Sequence, residues 1–226
     1  MASNVTLKTL VDRVLDLADM PGADYPDRNR VTDLINEGLS EIHEVLASGE
    51  YKWKSHPFSA QAGVEQYDLP NDFYRSHKLW RTSSNRRYPV HKYTISELAG
   101  HQATGPQSSG TFELWYIPAF EPLVNDSDQV DESLHYGWEM YAVYHAAAQL
   151  LNREESATAQ SYVGERARIM SRIAEHAAPR DFGEPDAIED IYGRWGSGVY
   201  DDDRRAVRYR IMGSKIFLSE FDYTGV

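Results

Sequence analysis

The chain has 226 residues, with 35 acidic and 23 basic side chains, a formal net charge of −12 and no cysteine. This charge argues against binding to nucleic-acid phosphates without sequence specificity, which requires clustered lysine and arginine. The lack of cysteine excludes disulfides, cysteine-containing zinc sites and thiol catalysis, and it favours assembly inside a cell. The first ten residues show no basic region followed by an apolar run, so we expect no signal peptide.

Apolar residues at helical spacing predict two N-terminal helices. The first covers residues 6–18. The second starts at Asp27, a favourable N-cap residue, runs to Ser48 and is ended by Gly49. Asn36 lies in the middle of the second helix near its apolar face, where we expect a hydrogen-bonded buried amide in preference to a binding residue.

After the second helix the hydrophobic period changes from helical to alternating. Strands rich in aromatic and β-branched residues are predicted at 51–58, 66–70, 76–81, 87–93 and 111–117. The spacing of residues 94–98 predicts a brief capped helix, and the polar segment 100–110 is predicted to be a mobile loop. An acidic linker follows at 123–132. Its Asp131 and Glu132 would stand before the next helix, where negative charge is favourable.

The predicted fold is organised around a helix from Leu134 to Leu151, with Gly137 interrupting its first turn. This helix is apolar or aromatic nearly all round, which requires burial on most sides. Trp138 and Tyr141 are expected in the core. The polar side chains within the helix argue against a membrane span. The three alanines at 146–148 are expected to let a neighbouring backbone approach closely.

A fourth helix is predicted at 154–178. Its buried stripe is predicted to consist of small and apolar residues, namely Ala159, Val163, Ala167, Met170, Ile173, Ala174 and Ala177. Arg166, Arg168 and Arg172 are predicted to form a basic outer face, for which simple solvation is favoured over phosphate binding.

The last 47 residues, 180–226, differ from the rest. The part up to Asp203 is rich in glycine, proline and aspartate and cannot form a packed core alone. Residues 206–211 then alternate strictly, Gly213-Ser214 provides a two-residue turn, and residues 215–218 form the returning strand. Because an isolated hairpin is marginal in water, we expect this one to dock on a partner.

The sequence therefore predicts an α+β fold that is mainly α. A bundle of four helices is formed by residues 1–49 and 133–179. A small antiparallel β region is inserted at 50–122, the acidic linker occupies 123–132, and an extended C-terminal arm at 180–226 carries the hairpin 206–218.

No catalytic, cofactor-binding or metal-binding constellation is found in the sequence. The eight histidines form no metal-ligand spacing, and His145 is predicted to be a core or interhelix residue. Residues 193–198 lack the lysine and the strand-to-helix context of a phosphate loop. Two alternatives stay open: an enzyme with a cryptic acidic site, such as a cell-wall hydrolase, and a cytosolic binding module whose β insert captures a ligand.

Several short motifs occur in a characteristic order along the chain. They are LINEGLSEI at 34–42, Trp53, YDLPNDF at 67–73, LWYIP at 114–118 and the alanine-rich helix. In this order they resemble the head-to-tail adaptor proteins of tailed bacteriophages, also called head-completion or connector proteins, including the tubular-tail adaptors of short-tailed phages. The resemblance covers roughly residues 6–178.

The resemblance implies a virion structural protein at the head–tail junction, assembled in the host cytoplasm and without enzymatic activity. It implies a homo-oligomeric ring, usually a dodecamer, that docks to the portal protein and extends the DNA channel used in genome ejection. Tail nozzle or fibre proteins would attach to this ring. DNA would pass without specific binding, no cofactor is needed and no membrane is involved.

In this family, C-terminal segments often clamp the portal. An arm with exposed aromatics and an unpaired strand edge suits such a contact. We therefore expect the arm to be mobile in the free subunit and to order on the portal or a neighbouring subunit. The alternative is that it packs on the helical bundle of its own subunit. The candidate contact residues are Trp195, Tyr200, Val207, Tyr209, Ile211, Ile216, Phe217, Leu218, Phe221 and Tyr223.

Overall fold

A computed structural model describes residues 5–19, 27–49, 53–83, 86–92, 103–104, 109–131, 134, 137–152, 157–177 and 205–222. Within these ranges there are four helices and a set of mainly antiparallel strands, which confirms the predicted α+β class and helix number. The chain divides into a helical unit, Met1–Lys52 with Phe120–Pro179, and a β unit, Trp53–Ala119 with Arg180–Val226. None of the described helices combines the length and the apolar character needed to cross a bilayer.

The helices are α1 (Leu7–Leu17), α2 (Arg28–Ser48), α3 (Glu139–Asn152) and α4 (Ala157–Ala177). The end signals of α2 act as predicted: the Asp27 side chain accepts a hydrogen bond from the Asn29 N–H, and Gly49 follows the last turn. The Asn36 amide is also satisfied, as predicted. Its Nδ2 donates to the Leu123 carbonyl and its Oδ1 accepts from the Leu123 N–H, both at 2.9 Å.

The third helix starts later than predicted. Gly137 has a φ of +82°, a left-handed conformation that interrupts helical backbone, and α3 begins only at Glu139. The acidic linker therefore does not reach its N-terminus. It lies instead at the start of α1, where the N–H groups of Leu7 and Lys8 donate to the carbonyls of Asp128 and Asp126 at 2.9 and 3.2 Å.

The helical unit has one hydrophobic core, to which all four helices contribute. Trp138 and Tyr141 are buried in it, as predicted, together with Leu10, Val14, Leu34 and Ile35. Burial of α3 is nearly complete, since only Gln149 and Asn152 are exposed along it. Its closest backbone approach occurs one turn before the predicted alanine run, where Ala142 faces Gly38 of α2.

The buried face of α4 differs from the predicted stripe. Ala159, Ile173 and Ala177 are buried as predicted, but Val163, Ala167 and Ala174 are exposed, and Ile169, which was not in the predicted stripe, is buried. The larger side chains determine the orientation of the helix, because they remove more apolar surface from water than the alanines do. Arg166 was predicted on the outer face but is only partly exposed, and it points at His145 of α3.

The β unit contains β1 (Lys54–Ala60), β2 (Gln66–Asp68), β3 (Phe73–Ser83), β4 (Arg86–Lys92), β5 (Ala103–Thr104), β6 (Gly110–Pro118), β7 (Arg205–Met212) and β8 (Lys215–Asp222). The strand order is β1-β6-β3-β4-β7-β8-β2, with β5 on β8. All pairs are antiparallel except β4 with β7. The predicted helix at 94–98 lies outside the described residues, and β5 lies in a segment predicted to be a loop.

The two ends of this strand order meet around one core. The ring of Phe58 in β1 lies 5.3 Å from that of Tyr67 in β2, and the Tyr67 hydroxyl donates to the Val64 carbonyl at 2.9 Å. The sheet therefore curls on itself. The buried residues inside it are Ala60, Leu69, Leu79, Val90, Phe112, Leu114, Tyr116, Tyr209, Ile216 and Leu218.

Two strands present long unpaired edges among the described residues. β1 pairs only with β6, and the first five residues of β4 pair only with β3. Each of these edges contains a proline, Pro57 in β1 and Pro89 in β4. Proline has no N–H to donate and is accommodated in a sheet mainly at an edge.

Candidate docking surfaces

The predicted C-terminal hairpin exists and has the predicted two-residue turn, with Gly213 at a φ of +56°. Its partner, however, is the β unit of its own chain. β8 pairs with β2 and β5, and β7 pairs with β4. The expectation of an unpaired edge along β8 is therefore wrong for this conformation, because β-strand pairing and core packing already occupy that strand.

The predicted contact residues fall into three groups. Tyr209, Ile216 and Leu218 are buried at 4%, 1% and 0% exposure, so a partner cannot reach them while the hairpin stays docked. Ile211 and Phe217 are partly exposed. Val207 and Phe221 lie in described strands without a described side chain, and Trp195, Tyr200 and Tyr223 lie outside the described residues.

The outward face of the sheet carries an aromatic cluster around Trp115, whose members no local sequence pattern brings together. Along β6, Phe112, Leu114 and Tyr116 point into the core, so Glu113 and Trp115 point outward. The Trp53 ring stacks on Trp115 with a centroid distance of 4.1 Å and an interplanar angle of 9°. Trp53 is 44% exposed. The alternation of Phe112, Glu113 and Leu114 was the signal that could have placed Trp115 on the outward face with Glu113.

Two further aromatic rings and one cation complete this surface, which we call the tryptophan face. Trp80 meets Trp115 edge-on at 5.5 Å and His77 lies parallel to it at 6.4 Å. The Arg87 guanidinium lies 5.6 Å from the Trp115 ring centroid and 3.0 Å from the Glu113 carboxylate. Tryptophan and arginine are among the residue types enriched at protein-binding hot spots.

A second cluster lies in the helical unit and has the composition of a metal site. Glu37, Glu41 and His145 each bring one ligand atom within 4.8 Å of the others. His145 is almost fully buried, and its Nε2 lies 3.5 Å from a Glu37 oxygen without a hydrogen bond. Carboxylate and imidazole ligands in this number suit a divalent cation in principle.

The neighbouring arginine decides against that assignment. Arg166 Nη1 lies 2.8 Å from His145 Nδ1, and because a guanidinium can only donate, Nδ1 must accept. A neutral His145 then carries its proton on Nε2, which leaves no lone pair facing Glu37 for a metal. The Glu41 carboxylate also accepts the Tyr141 hydroxyl, and burial followed by this bond raises the pKa of Tyr141. The cluster therefore has a structural role, in which polar side chains connect α2, α3 and α4.

A polar anchor holds the start of β3 in the β unit. The Asp72 carboxylate accepts hydrogen bonds from Lys54 Nζ at 2.7 Å and from the Tyr116 hydroxyl at 2.8 Å. Lys54 is the main cause that lowers the pKa of Asp72, and Tyr116 adds to it. Burial, together with the bond to Asp72, raises the pKa of Tyr116 to about 12.

The motifs that resemble phage adaptors are distributed over both units. LINEGLSEI lies in α2, YDLPNDF links β2 to β3, and LWYIP ends β6. The family model described as SU10 adaptor protein matches residues 5–188, which is most of the chain. The chain belongs to the SU10 adaptor family. The resemblance stated from the sequence is thereby confirmed, and comparison with curated proteins gave no match.

Membership in this family makes the chain a phage head-to-tail adaptor protein, a virion component of the head–tail junction that interacts with portal and tail proteins. A structural adaptor role favours a protein without enzymatic activity. The matched residues include all four helices and strands β1 to β6, whereas the hairpin β7–β8 lies beyond the match.

Proposed function

We propose that this protein is the subunit of a homo-oligomeric ring, a dodecamer in the usual case, that docks to the portal. The ring extends the DNA channel, lets DNA pass without specific binding and provides the platform for the next tail component. The observation that carries this proposal is the family match from residue 5 to 188, which runs from the start of α1 through the β insert and α4.

We assign tail attachment to the β unit. The tryptophan face is the surface that supports this assignment, since Trp53 is a large exposed aromatic and its stacking on Trp115 keeps it rigid. A rigid aromatic loses little conformational entropy on binding, so its burial is available for affinity. Residues 50–122 would accordingly lie on the outside of the ring, facing nozzle or fibre proteins.

We assign portal contact to the C-terminal arm outside the buried part of the hairpin. Trp195 and Tyr200 precede the hairpin in sequence, and Met212 at the hairpin turn is 48% exposed. The buried residues Tyr209, Ile216 and Leu218 then serve to hold the hairpin, while the connecting segment makes the contact.

The test is co-expression of the chain with the portal protein of the same phage in a bacterial cytoplasm, followed by light scattering and electron microscopy. We expect rings stacked on the portal. Trp53→Ala should keep portal assembly and weaken attachment of the tail component, whereas Val64→Ala, another exposed apolar residue of the β unit, is the control. A chain that stays monomeric with purified portal would refute the ring.

A further inference from the structure

The β unit cannot complete its core without the hairpin β7–β8. Three of its buried residues, Tyr209, Ile216 and Leu218, come from residues 205–222. Without them, the other seven buried residues of this core would lose part of their cover, and exposed apolar surface of this kind is unfavourable in water. Every folded β unit therefore has a hairpin docked on it, from whichever chain that hairpin comes.

The hairpin is a self-contained piece with a small docking edge. β7 and β8 pair with each other through eight residue pairs. In contrast, β7 meets β4 only at His91↔Arg208 and Lys92↔Tyr209, and β8 meets β2 at Gln66–Asp68 and β5 at Ala103–Thr104. The whole acceptor edge lies in the continuous segment Trp53–Ala119, so the same pairing is available to a hairpin from a second copy.

The connection to the hairpin is unusually long. Twenty-seven residues, 178–204, separate the end of α4 at Ala177 from the start of β7 at Arg205. Connections in compact domains are typically about 4–6 residues, and those above about 12–15 are uncommon. At about 3.3–3.6 Å per residue the segment can reach up to about 90 Å. Extra length adds little entropic cost, so an adjacent β unit is within reach.

We propose that, in the assembled ring, the hairpin 205–222 docks on the β unit of the neighbouring copy, so that each subunit completes the core of the next. This inference rests on the proposed ring. Exchange of an identical element keeps every strand pair and every buried residue, which makes it a low-cost way to link copies. A closed ring leaves no β unit without a hairpin. The exchanged hairpins reinforce one another, because each one holds two subunits close together and so favours docking of the next hairpin.

The cysteine-free chain permits a direct test with one engineered disulfide. Asp68 and Lys215 are Cα partners between β2 and β8, and their side chains form an ion pair at the surface. Antiparallel partners have Cα atoms about 4.5–5.5 Å apart, within the range that a disulfide spans. The test variant is Asp68→Cys with Lys215→Cys. The control is Ser59→Cys with Thr111→Cys, exposed partners between β1 and β6 within one continuous segment.

Rings are assembled with portal, their mass is verified by light scattering, and they are then oxidised and run on a denaturing gel without reductant. We expect the test variant to give a ladder of covalent oligomers that reductant collapses to one subunit. The control should give only the subunit. A free, unassembled test variant should also give only the subunit, because its hairpin closes its own sheet.

Two results would overturn the exchange while leaving the ring intact. In the first, the test variant forms full-mass rings and loses its free thiols on oxidation, but the gel shows only single subunits. The other is full-mass rings whose thiols remain free, which would mean that the hairpin leaves β2 on assembly. Failure of the unsubstituted chain to form rings would refute the proposed function itself, and light scattering reveals that outcome before any oxidation.

Discussion

Gly38 of α2 and Ala142 of α3 touch backbone to backbone: a Cβ atom built on Gly38 would lie 2.8 Å from the Ala142 Cα and 3.1 Å from its Cβ. Ala142 is fully buried, and Gly38 is buried as well. The close approach of α2 and α3 is thus made by two residues with very small side chains.

Gly38→Ala should lower the free energy of unfolding by roughly 1–3 kcal/mol, the usual cost of overpacking a core. The cost should exceed the gain of about 1 kcal/mol from removing a helical glycine. Denaturant unfolding measures it. Gly164→Ala in α4 is the matched control, because an added Cβ there has nothing within 4 Å, and this variant should gain stability. Equal stabilisation by both changes would contradict the close packing.

Asn36→Ala should destabilise the helical unit because it removes both hydrogen-bond partners of Leu123. Each buried backbone group left unsatisfied costs about 1–3 kcal/mol. Gln160→Ala, at an exposed position of α4, is the control and should change stability by less than about 0.5 kcal/mol. If the two variants unfold at the same denaturant concentration, the hydrogen bonds of the Asn36 amide to Leu123 do not stabilise the helical unit.

Leu218→Ala in β8 should cost about 2–5 kcal/mol, as for other fully buried leucines, since its side chain is 0% exposed. Met212→Ala in the same hairpin is the control. Met212 is 48% exposed, so its truncation should stay within about 0.5 kcal/mol. Tryptophan fluorescence in a Trp138→Phe background reports on unfolding of the β unit, because Trp138 lies in the helical core. A neutral Leu218→Ala would show that the hairpin does not contribute to this core in solution.

Truncation after Pro179 should leave the helical unit folded and the β unit unfolded. Among the described residues, the helical core includes none beyond Ala177, whereas the β unit loses Tyr209, Ile216 and Leu218. Circular dichroism should retain the helical signal, and near-ultraviolet aromatic signals should weaken. Removal of residues 223–226 alone, which follow β8, should change neither spectrum. A truncated chain with a native β unit would support a free arm.

Acid should weaken the anchor at Asp72. Its folded-state pKa lies below the ordinary value of 3.8, so the ionised group stabilises the fold fully above that pH. The stabilisation is lost as pH falls below 3.8 through the folded pKa. Asp72→Asn should therefore be less stable than the natural chain near neutral pH, and the difference should shrink in acid. Lys54→Gln should reproduce part of this profile. A difference that stays constant with pH would exclude the ion pair as its cause.

The features predicted correctly are those specified by adjacent residues. The ends of α2 follow from Asp27 and Gly49, and the hairpin turn follows from Gly213-Ser214 between alternating strands. The burial of α3 follows from its composition, because a helix without a broad polar face needs cover on most sides. Each of these signals acts within a few residues and needs no knowledge of the partner.

The features that sequence reasoning missed depend on distant partners. The parallel pairing of β4 with β7 joins residues more than a hundred positions apart, and no local signal selects that partner. The contact of Arg166 with His145 also depends on a distant partner, because a helical wheel of α4 alone places Arg166 on the solvent side. The tryptophan face was missed because Trp53, Trp80 and Trp115 converge only when β1, β3 and β6 are adjacent.

Pro57 and Pro89 have a consequence beyond their own strands. In the proposed ring, many copies of one subunit would lie side by side, so open strand edges would meet repeatedly. An edge interrupted by proline cannot serve as a continuous template for a foreign strand, and fibril-like growth from one sheet to the next is blocked. In that ring, crowding of the copies would then lead to closure of a finite assembly and not to precipitation.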